Sequence, residues 1–380
     1  MIQQQNLETG KRQQNIVEIT RWKNNATAAL TLSFDDGYKE TVENCAGYLS
    51  RHNIRATFNI PTALIGSSFE GRDVVSWSDI YDMAQQADAE IASHSVNHLD
   101  SYISPLEYLS RIPAGFYYAS SKLAYIRRVI ATTTELLTRR QSTNGSNGTS
   151  LSEIECEVTD SKSEIDKHIT LQTTSSYVYP YGKRNKHYKD CISSAGYVSA
   201  RGTLKGYNVY KTVDFLDLRC MLWSKNTTVE EADDWINKAM TMGAWLIETY
   251  HLVSKGNHST YEWSTSTESF QQHINYISNL INSNKVWVDT QQNVAKYMKQ
   301  RLSSEVKVLH QDPLRYLLSL HNRLAPIYDQ ELTLRVEIPH QWHKVEISQG
   351  DRPIAARKEN DNILFNALPN KGDIRIESAK

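Results

Sequence analysis

Two adjacent carboxylates end an apolar run near the start of the chain, where the sequence reads AALTLSFDDG. Asp35 and Asp36 come directly after this run, and Gly37 follows them. One carboxylate of such a pair can ligate a metal ion while the other accepts a proton from metal-bound water. The alternative is an Asx turn closed by the glycine, and the FDDG motif considered by itself favours that turn.

Two histidines, His94 and His98, are four residues apart in the segment SHSVNH. On a helical turn, residues i and i+4 share a face, so both imidazoles can reach one ion. Two imidazoles and a carboxylate suit a divalent metal that keeps an open position for water or substrate. Two unrelated loop histidines are the alternative, because a motif this short also recurs by chance.

Two later segments also carry candidate chemistry. In YPYG, Pro180 fixes the backbone, and the amide of Tyr181 can act as an oxyanion donor; a plain Pro/Gly turn is the simpler interpretation. In ETYH, His251 ends an apolar run. This histidine can act as a general acid, or it is an ordinary buried histidine.

The segments that carry these residues alternate between strand and helix patterns. Apolar runs predict strands at 28–34, 56–61 and 90–95, and helical spacing of apolar residues predicts helices at 41–52 and 77–86. Such alternation implies βα units around a mainly parallel sheet or barrel. Because ligands meet the carboxyl ends of parallel strands, we expect the polar residues at these ends to converge on one face.

The rest of the chain changes its pattern twice. Residues 119–140 predict a helix, the Ser/Asn/Gly/Thr-rich segment 141–150 predicts a flexible loop, and a further helix is predicted at 163–171. Near the C-terminus, period-2 segments such as LTLRVEI and DIRIE predict a small antiparallel β domain. We therefore predict an N-terminal extension (1–27), a barrel domain (28–303) and a small β-sandwich-like domain (304–380).

The composition excludes several classes of protein. The formal net charge of −1 predicts no nucleic-acid partner, and the absence of a long apolar run predicts no membrane span. The first residues, MIQQQNLETGKRQQNIVE, have no apolar core, so we expect no signal peptide in this sequence. The location stays open: secreted or periplasmic if a signal peptide has been removed, and otherwise cytoplasmic. The four cysteines are scattered, with no CxxC spacing, which argues against a cysteine zinc site. Free thiols and one or two disulfides are both compatible with this spacing.

Taken in order, FDDG, HSVNH, the PYG turn and a strand ending in histidine resemble the polysaccharide deacetylases of carbohydrate esterase family 4, over about residues 28–300. The resemblance implies an irregular (β/α) barrel, here followed by the small antiparallel β domain. It also implies that Asp36, His94 and His98 bind a metal and that Asp35 is the general base. By the same resemblance, His251 is the general acid, and the amide of Tyr181 stabilises the oxyanion.

The resemblance implies supporting residues as well. Ser95 is expected to orient the histidine pair. Many family members carry an arginine shortly before the PY turn that pairs with the base; TTSSYVYPYG has none, and Arg201 is the predicted substitute. The family often supplies an acid that raises the pKa of the catalytic histidine, and Asp214 or Asp217 is the candidate here.

The implied activity is metal-dependent deacetylation of an acetylated poly- or oligosaccharide. The first hypothesis is removal of N-acetyl groups from a hexosamine-containing poly- or oligosaccharide. The second is removal of O-acetyl groups from xylan or another glycan. The alternative from another class is an inactive relative that only binds carbohydrate. Zinc is the expected metal, with cobalt and nickel as alternatives. The oligomeric state is left open. Aromatic side chains that are candidates for sugar contacts, with core packing as the alternative, are Trp77, Tyr181, Trp223, Tyr261 and Trp263.

Overall fold

The computed structural model describes residues 16–100, 151–255 and 260–379. The chain divides into two compact units, Ala28–Ala295 and a second made of Met1–Thr27 with Lys296–Lys380. The helix predicted at 119–140 and the loop predicted at 141–150 lie outside the described residues. The two domain boundaries drawn from the sequence stay a prediction.

The first described strand, β1 (Val17–Ile19), belongs to the second unit. The strands of the first unit are β2 (Ala28–Phe34), β3 (Thr57–Ile60), β4 (Ser68–Phe69), β5 (Arg72–Asp73), β6 (Glu90–Ser93), β7 (Ser176–Val178), β8 (Ser199–Lys205), β9 (Leu218–Leu222), β10 (Trp245–Tyr250), β11 (Leu252–Ser254), β12 (Ser264–Ser266) and β13 (Val286–Val288). The described helices are α1 (Lys39–Arg51), α2 (Trp77–Gln86), α3 (Leu151–His168), α4 (Lys186–Ser194), α5 (Val229–Met242), α6 (Thr267–Asn282) and α7 (Gln291–Ser303), the last of which spans the boundary between the units.

Seven parallel strands close a barrel in the order β10, β9, β8, β7, β6, β3 and β2, and β10 pairs back onto β2. The barrel is irregular at β2. Its first half pairs with β13, whereas β3 pairs only at its end, through Ser33–Thr57 and Phe34–Phe58. The predicted irregular (β/α) barrel is therefore confirmed.

Apolar and polar side chains alternate along β2, so that one face of the strand packs in the hydrophobic core and the other carries polar residues. Leu30, Leu32 and Phe34 lie in the main hydrophobic core together with apolar residues of the surrounding helices. The alternate residues are buried but polar: Thr31 donates to the Asp289 carbonyl at 2.8 Å, and Ser33 accepts from the Asn59 amide at 2.8 Å. Because side chains alternate along a strand, the next residue on the polar face after Ser33 is Asp35.

Several predicted elements have different bounds or were missed. Helix α2 is capped by Ser76, in a capping box with Asp79. The helix predicted at 163–171 is α3, which is helical from Leu151, since its buried apolar stripe already begins at Ile154. Strand β9 was not predicted, because exposed Arg219 interrupts a run that is otherwise mostly buried.

The second unit contains two antiparallel sheets, ordered β1-β16-β20-β19 and β14-β15-β21-β17-β18. Its other strands are β14 (Glu305–Gln311), β15 (Arg315–His321), β16 (Leu332–Glu337), β17 (Lys344–Gln349), β18 (Arg352–Ile354), β19 (Ala356–Glu359), β20 (Asn362–Ala367) and β21 (Ile374–Ala379). Fully buried Leu318, Leu334, Ile363 and Ile376 form part of its core. The predicted small antiparallel domain is therefore present.

None of the described helices combines the length and apolar character that a bilayer span needs. All four cysteines are free thiols.

Candidate active site

A cleft of about 370 Å³ lies where the barrel strands end. Asp35 and Asp36 reach it from the end of β2, His94 from the end of β6, and His251 from the end of β10. The carboxyl ends of parallel strands meet at one face, which is why residues so distant in sequence converge. The described residues that line the cleft are Asp35, Asp36, Phe69, Glu70, His94, His98, Tyr179, Tyr181, Thr203, Leu222, His251, Tyr261 and Trp263.

Three buried side chains form a candidate metal centre. Asp36 Oδ1 lies 3.5 Å from His94 Nε2 and 3.4 Å from His98 Nε2, and the two nitrogens are 3.1 Å apart. Ligand atoms at about 2.0–2.2 Å from one tetrahedral ion are separated by roughly these distances. Within 16–100, 151–255 and 260–379, this is the group of histidine, cysteine and acidic residues with metal-binding spacing.

The protonation of these groups suits a cation. His94 Nδ1 lies 2.9 Å from the Val178 carbonyl, which can only accept, so Nδ1 donates and Nε2 keeps its lone pair for the centre. Burial, together with the adjacent His94, lowers the pKa of His98 to about 4, which leaves this imidazole neutral at neutral pH. Burial would raise the pKa of Asp36, but the neighbouring histidines outweigh it and lower the pKa, so this group is a carboxylate.

Asp36 Oδ1 is buried and has no hydrogen-bond partner among the described residues. A buried carboxylate oxygen without a partner is costly unless a cation satisfies it. Two imidazole nitrogens and one carboxylate oxygen are the donor set that zinc, cobalt and nickel accept. The residues therefore fit a divalent metal of this class.

Non-glycine residues in the left-handed backbone region cluster around the cleft. Asp36 has φ +69°, Ser95 +69°, His98 +54° and Tyr181 +54°. Each such residue costs of order 1–3 kcal/mol and persists only where surrounding contacts hold it. Gly182, with φ +66°, closes the PYG turn where an added Cβ would lie 2.7 Å from the Thr203 amide nitrogen, so only glycine fits there.

Two side chains hold the turn that carries the histidine pair. Ser95 Oγ accepts from the His98 amide at 2.9 Å, and the orienting role of Ser95 stays a prediction. Buried Glu157 of α3 accepts from the amides of Val96 and Asn97, both at 2.8 Å, and from the Asn97 side chain at 2.7 Å. Sequence analysis missed Glu157, because it lies 60 residues from Asn97 on a part of α3 that was not predicted.

Asp35 is held on one side of its carboxylate by two donors. Arg201 Nη2 lies 2.5 Å from Oδ1, and Asn59 Nδ2 lies 2.7 Å from the same oxygen. Burial would raise the pKa of Asp35, but the guanidinium, with His94 and His251, outweighs burial and holds the pKa well below its usual range. The structure thus places Arg201 against Asp35. Asn59 was missed, although one polar residue inside the apolar segment ATFNIP marks the position.

His251 faces the other oxygen of Asp35, with 3.8 Å between Nε2 and Oδ2. Its Nδ1 is buried without a hydrogen-bond partner among the described residues. Asp217 pairs instead with Arg184 and Lys189, and Asp214 pairs with Lys189 at 2.8 Å. Neither predicted acid contacts His251, because these two cations attract both carboxylates.

The aromatic candidates divide into two sets. Tyr181, Tyr261 and Trp263 line the cleft, and the half-exposed ring of Tyr181 packs edge-on against His98 with 4.7 Å between centroids. Trp223 is fully buried, where it stacks on Tyr250 and donates to Glu248. Trp77 stacks on His168 with 4.1 Å between centroids. Trp77 and Trp223 are not among the described residues that line the cleft, and the sugar contact predicted for each stays a prediction.

Residues 23–200 match the family model described as polysaccharide deacetylase. Among curated proteins, a gellan lyase of Bacillus sp. is 20% identical over 388 residues, which covers 94% of this chain and 13% of that protein. The chain therefore spans about an eighth of the length of this curated relative.

Similar solved structures include deacetylases from several bacteria. The Streptococcus pyogenes deacetylase PplD in complex with acetate is 19% identical, covering 55% of this chain and 69% of that one, with a TM-score of 0.37. A putative polysaccharide deacetylase from Mycobacterium smegmatis is 12% identical, covering 74% of this chain and 93% of that one, with a TM-score of 0.45.

Proposed function

Because residues 23–200 belong to the polysaccharide deacetylase family, we propose that this protein is a metal-dependent hydrolase that removes N-acetyl groups from a hexosamine-containing poly- or oligosaccharide. The observation that carries the proposal is the convergence, in one cleft, of a three-ligand centre with a carboxylate and an imidazole positioned for proton transfer. Removal of O-acetyl groups uses the same attack by water, and it is the alternative outcome of the experiment below.

Asp36, His94 and His98 would hold the ion, with zinc the first expectation from the donor set. A divalent metal bound there polarises the acyl carbonyl and lowers the pKa of a bound water. All three side chains are buried, so their positions are set by the fold before substrate arrives.

Asp35 is the general base. Arg201 and Asn59 both donate to its Oδ1, which leaves Oδ2 to take the proton of the attacking water. The hydroxyl oxygen then bonds to the acyl carbon. We assign the Tyr181 amide as a donor to the developing oxyanion, since this residue lies on the turn beside the histidine pair.

His251 is the general acid and gives its Nε2 proton to the leaving nitrogen, or to the leaving oxygen of an ester. The bond between that atom and the acyl carbon then breaks, releasing acetate and the deacetylated sugar. The 3.8 Å between His251 Nε2 and Asp35 Oδ2 lets the proton gained by Asp35 return to His251. Water is thus the only reactant consumed besides substrate, and both residues are reset.

The test is release of free acetate by the full chain, supplied in turn with zinc, cobalt and nickel, from chitin oligosaccharides and from acetylated xylan. Release from chitin oligosaccharides alone supports the N-acetyl assignment. Release from xylan alone replaces it with the ester activity. No release from any substrate with any of the three metals contradicts the proposed enzyme and leaves the inactive carbohydrate-binding relative as the better description.

A further inference from the structure

One acidic side chain lines the cleft without belonging to the candidate metal centre or the acid–base pair. Glu70 lies in the turn between β4 and β5, next to Phe69, and faces the same cleft as Tyr181 and Tyr261. The chemistry proposed above gives this carboxylate no task. Its position on the wall of the substrate cleft makes it a candidate for contact with the sugar.

The backbone at Glu70 is held in an uncommon conformation. Glu70 has φ +49° and Gly71 φ +75°, the two left-handed residues of a tight hairpin turn in which asparagine, aspartate and glycine are the usual residues. Arg72 Nη1 donates to the Glu70 carbonyl at 2.9 Å. The Arg72 guanidinium also lies over the Tyr261 ring, 4.3 Å from its centroid. Arg72 therefore links the backbone of this turn to the Tyr261 ring.

The carboxylate lies among phenol groups. Tyr38 donates its hydroxyl to Glu70 Oε2 at 3.3 Å, a long hydrogen bond. Besides burial, the negative charge of Glu70 contributes to the raised pKa of Tyr38, Tyr261 and Tyr181. The field of Glu70 thus reaches Tyr181 and Tyr261, two of the three tyrosines among the described residues that line the cleft.

A carboxylate only accepts hydrogen bonds, so a ligand group that faces Glu70 must be a donor. Lysine and arginine are both missing from the described residues that line the cleft, so no ammonium or guanidinium on that part of the wall pairs with Glu70. An anionic group of a sugar would meet like-charge repulsion there, whereas a hydroxyl or an ammonium would be attracted.

We propose that Glu70 is a specificity-determining residue that accepts a hydroxyl or ammonium group of the bound sugar chain and excludes chains whose sugars carry carboxylates. This inference rests on the proposed function for the identity of the cleft as a sugar site. It narrows the substrate class to neutral or amino sugars and excludes uronate polymers.

The test is calorimetric binding by the full chain of three probes at pH 6: a glucosamine tetrasaccharide, xylotetraose and tetragalacturonate. We expect the wild type to bind the first two about tenfold more tightly than the uronate, as one charge interaction near a protein surface allows. Glu70→Gln keeps the shape and removes the charge, so the ratio of glucosamine to uronate affinity should fall about tenfold. Asp73→Asn is the matched control, because exposed Asp73 is on the same hairpin and is not among the lining residues.

Equal binding of uronate and glucosamine by the wild type would overturn the inference, as would an unchanged ratio in folded Glu70→Gln or no binding of any probe. Acetate release is measured separately on the same preparations. If no acetate is released but the ratios of glucosamine to uronate affinity are as expected, the result contradicts the proposed reaction and supports the role of Glu70.

Discussion

Arg201 reaches across the barrel from β8 to the end of β2, where its Nη2 lies 2.5 Å from Asp35 Oδ1 and both side chains are buried. The guanidinium thus comes from a later strand than the PYG turn, whose preceding segment has no arginine. The ion pair occupies Oδ1 of Asp35, and Oδ2 faces His251.

Removing one partner of this pair should destabilise the protein. We expect Arg201→Met to lower the free energy of unfolding by about 3–5 kcal/mol, because Asp35 is left as a buried charge without its cation. Urea titration measures this loss. The double variant Asp35→Asn/Arg201→Met should recover much of it, and additive losses in the double variant would show that the two side chains are not coupled.

Glu157 should affect metal binding without touching the ion. We expect Glu157→Gln to weaken zinc affinity about 10–100-fold, the usual effect of residues that orient metal ligands. Competition with a chromophoric chelator measures this affinity independently of turnover. The control is Glu155→Gln, an exposed neighbour on the same helix, and equal affinities for both variants would remove Glu157 from the support of the histidine turn.

A buried histidine outside the cleft should give the protein a pH-dependent stability. His273 lies 2.7 Å from Asp233 and 2.9 Å from Glu248. Burial would lower the pKa of His273, but the two acids outweigh it and raise the pKa from 6.5 to about 9. Because the folded protein holds this proton more tightly, the stabilisation is complete below pH 6.5 and is lost as the pH rises through about 9.

The raised pKa of His273 corresponds to about 3 kcal/mol of stabilisation of the folded protein. Urea titration gives the free energy of unfolding of the wild type and of His273→Gln, and the difference between the two proteins should be larger at pH 6 than at pH 9.5. A difference that is the same at both values would show that His273 is not the group responsible.

Substitution of an aromatic residue that lines the cleft should change KM, whereas substitution of an aromatic residue outside the described lining should not. We expect Trp263→Ala to raise the KM for an acetylated oligosaccharide about 3–10-fold, since an aromatic contact of this kind is worth about 0.5–1.5 kcal/mol. Trp77→Ala should leave KM unchanged, because its ring stacks on His168 outside the described lining of the cleft. Equal effects of the two substitutions would mean that sugar does not contact Trp263.

The sequence predicts the barrel well because period-2 and helical patterns are strong in most of its elements. It fails at β9, where exposed Arg219 breaks the apolar run, and at the start of α3, where polar residues surround a narrow apolar stripe. Both are places where tertiary packing, and not local pattern, decides the structure.

For the candidate site, the sequence identifies residues that follow strand ends in motifs, and it even selects Arg201 on a different strand. It does not identify Asn59 or Glu157, because their partners are far away in sequence and their own neighbourhoods are ordinary strand and helix. The resemblance also offers Asp214 or Asp217 as the acid beside His251, since nothing in the sequence shows that Arg184 and Lys189 lie closer to these carboxylates. The catalytic roles themselves stay predictions.

The proposed mechanism depends on a division of roles between the adjacent carboxylates, with Asp36 as metal ligand and Asp35 as base. The most direct measurement is zinc content and acetate release, side by side, for Asp36→Ala and Asp35→Asn, at a temperature where circular dichroism shows both to be folded. Under the proposed mechanism, Asp36→Ala loses zinc and turnover together, whereas Asp35→Asn keeps zinc and loses at least 100-fold in kcat, as removal of a general base does. Near-wild-type turnover by zinc-loaded Asp35→Asn would contradict it.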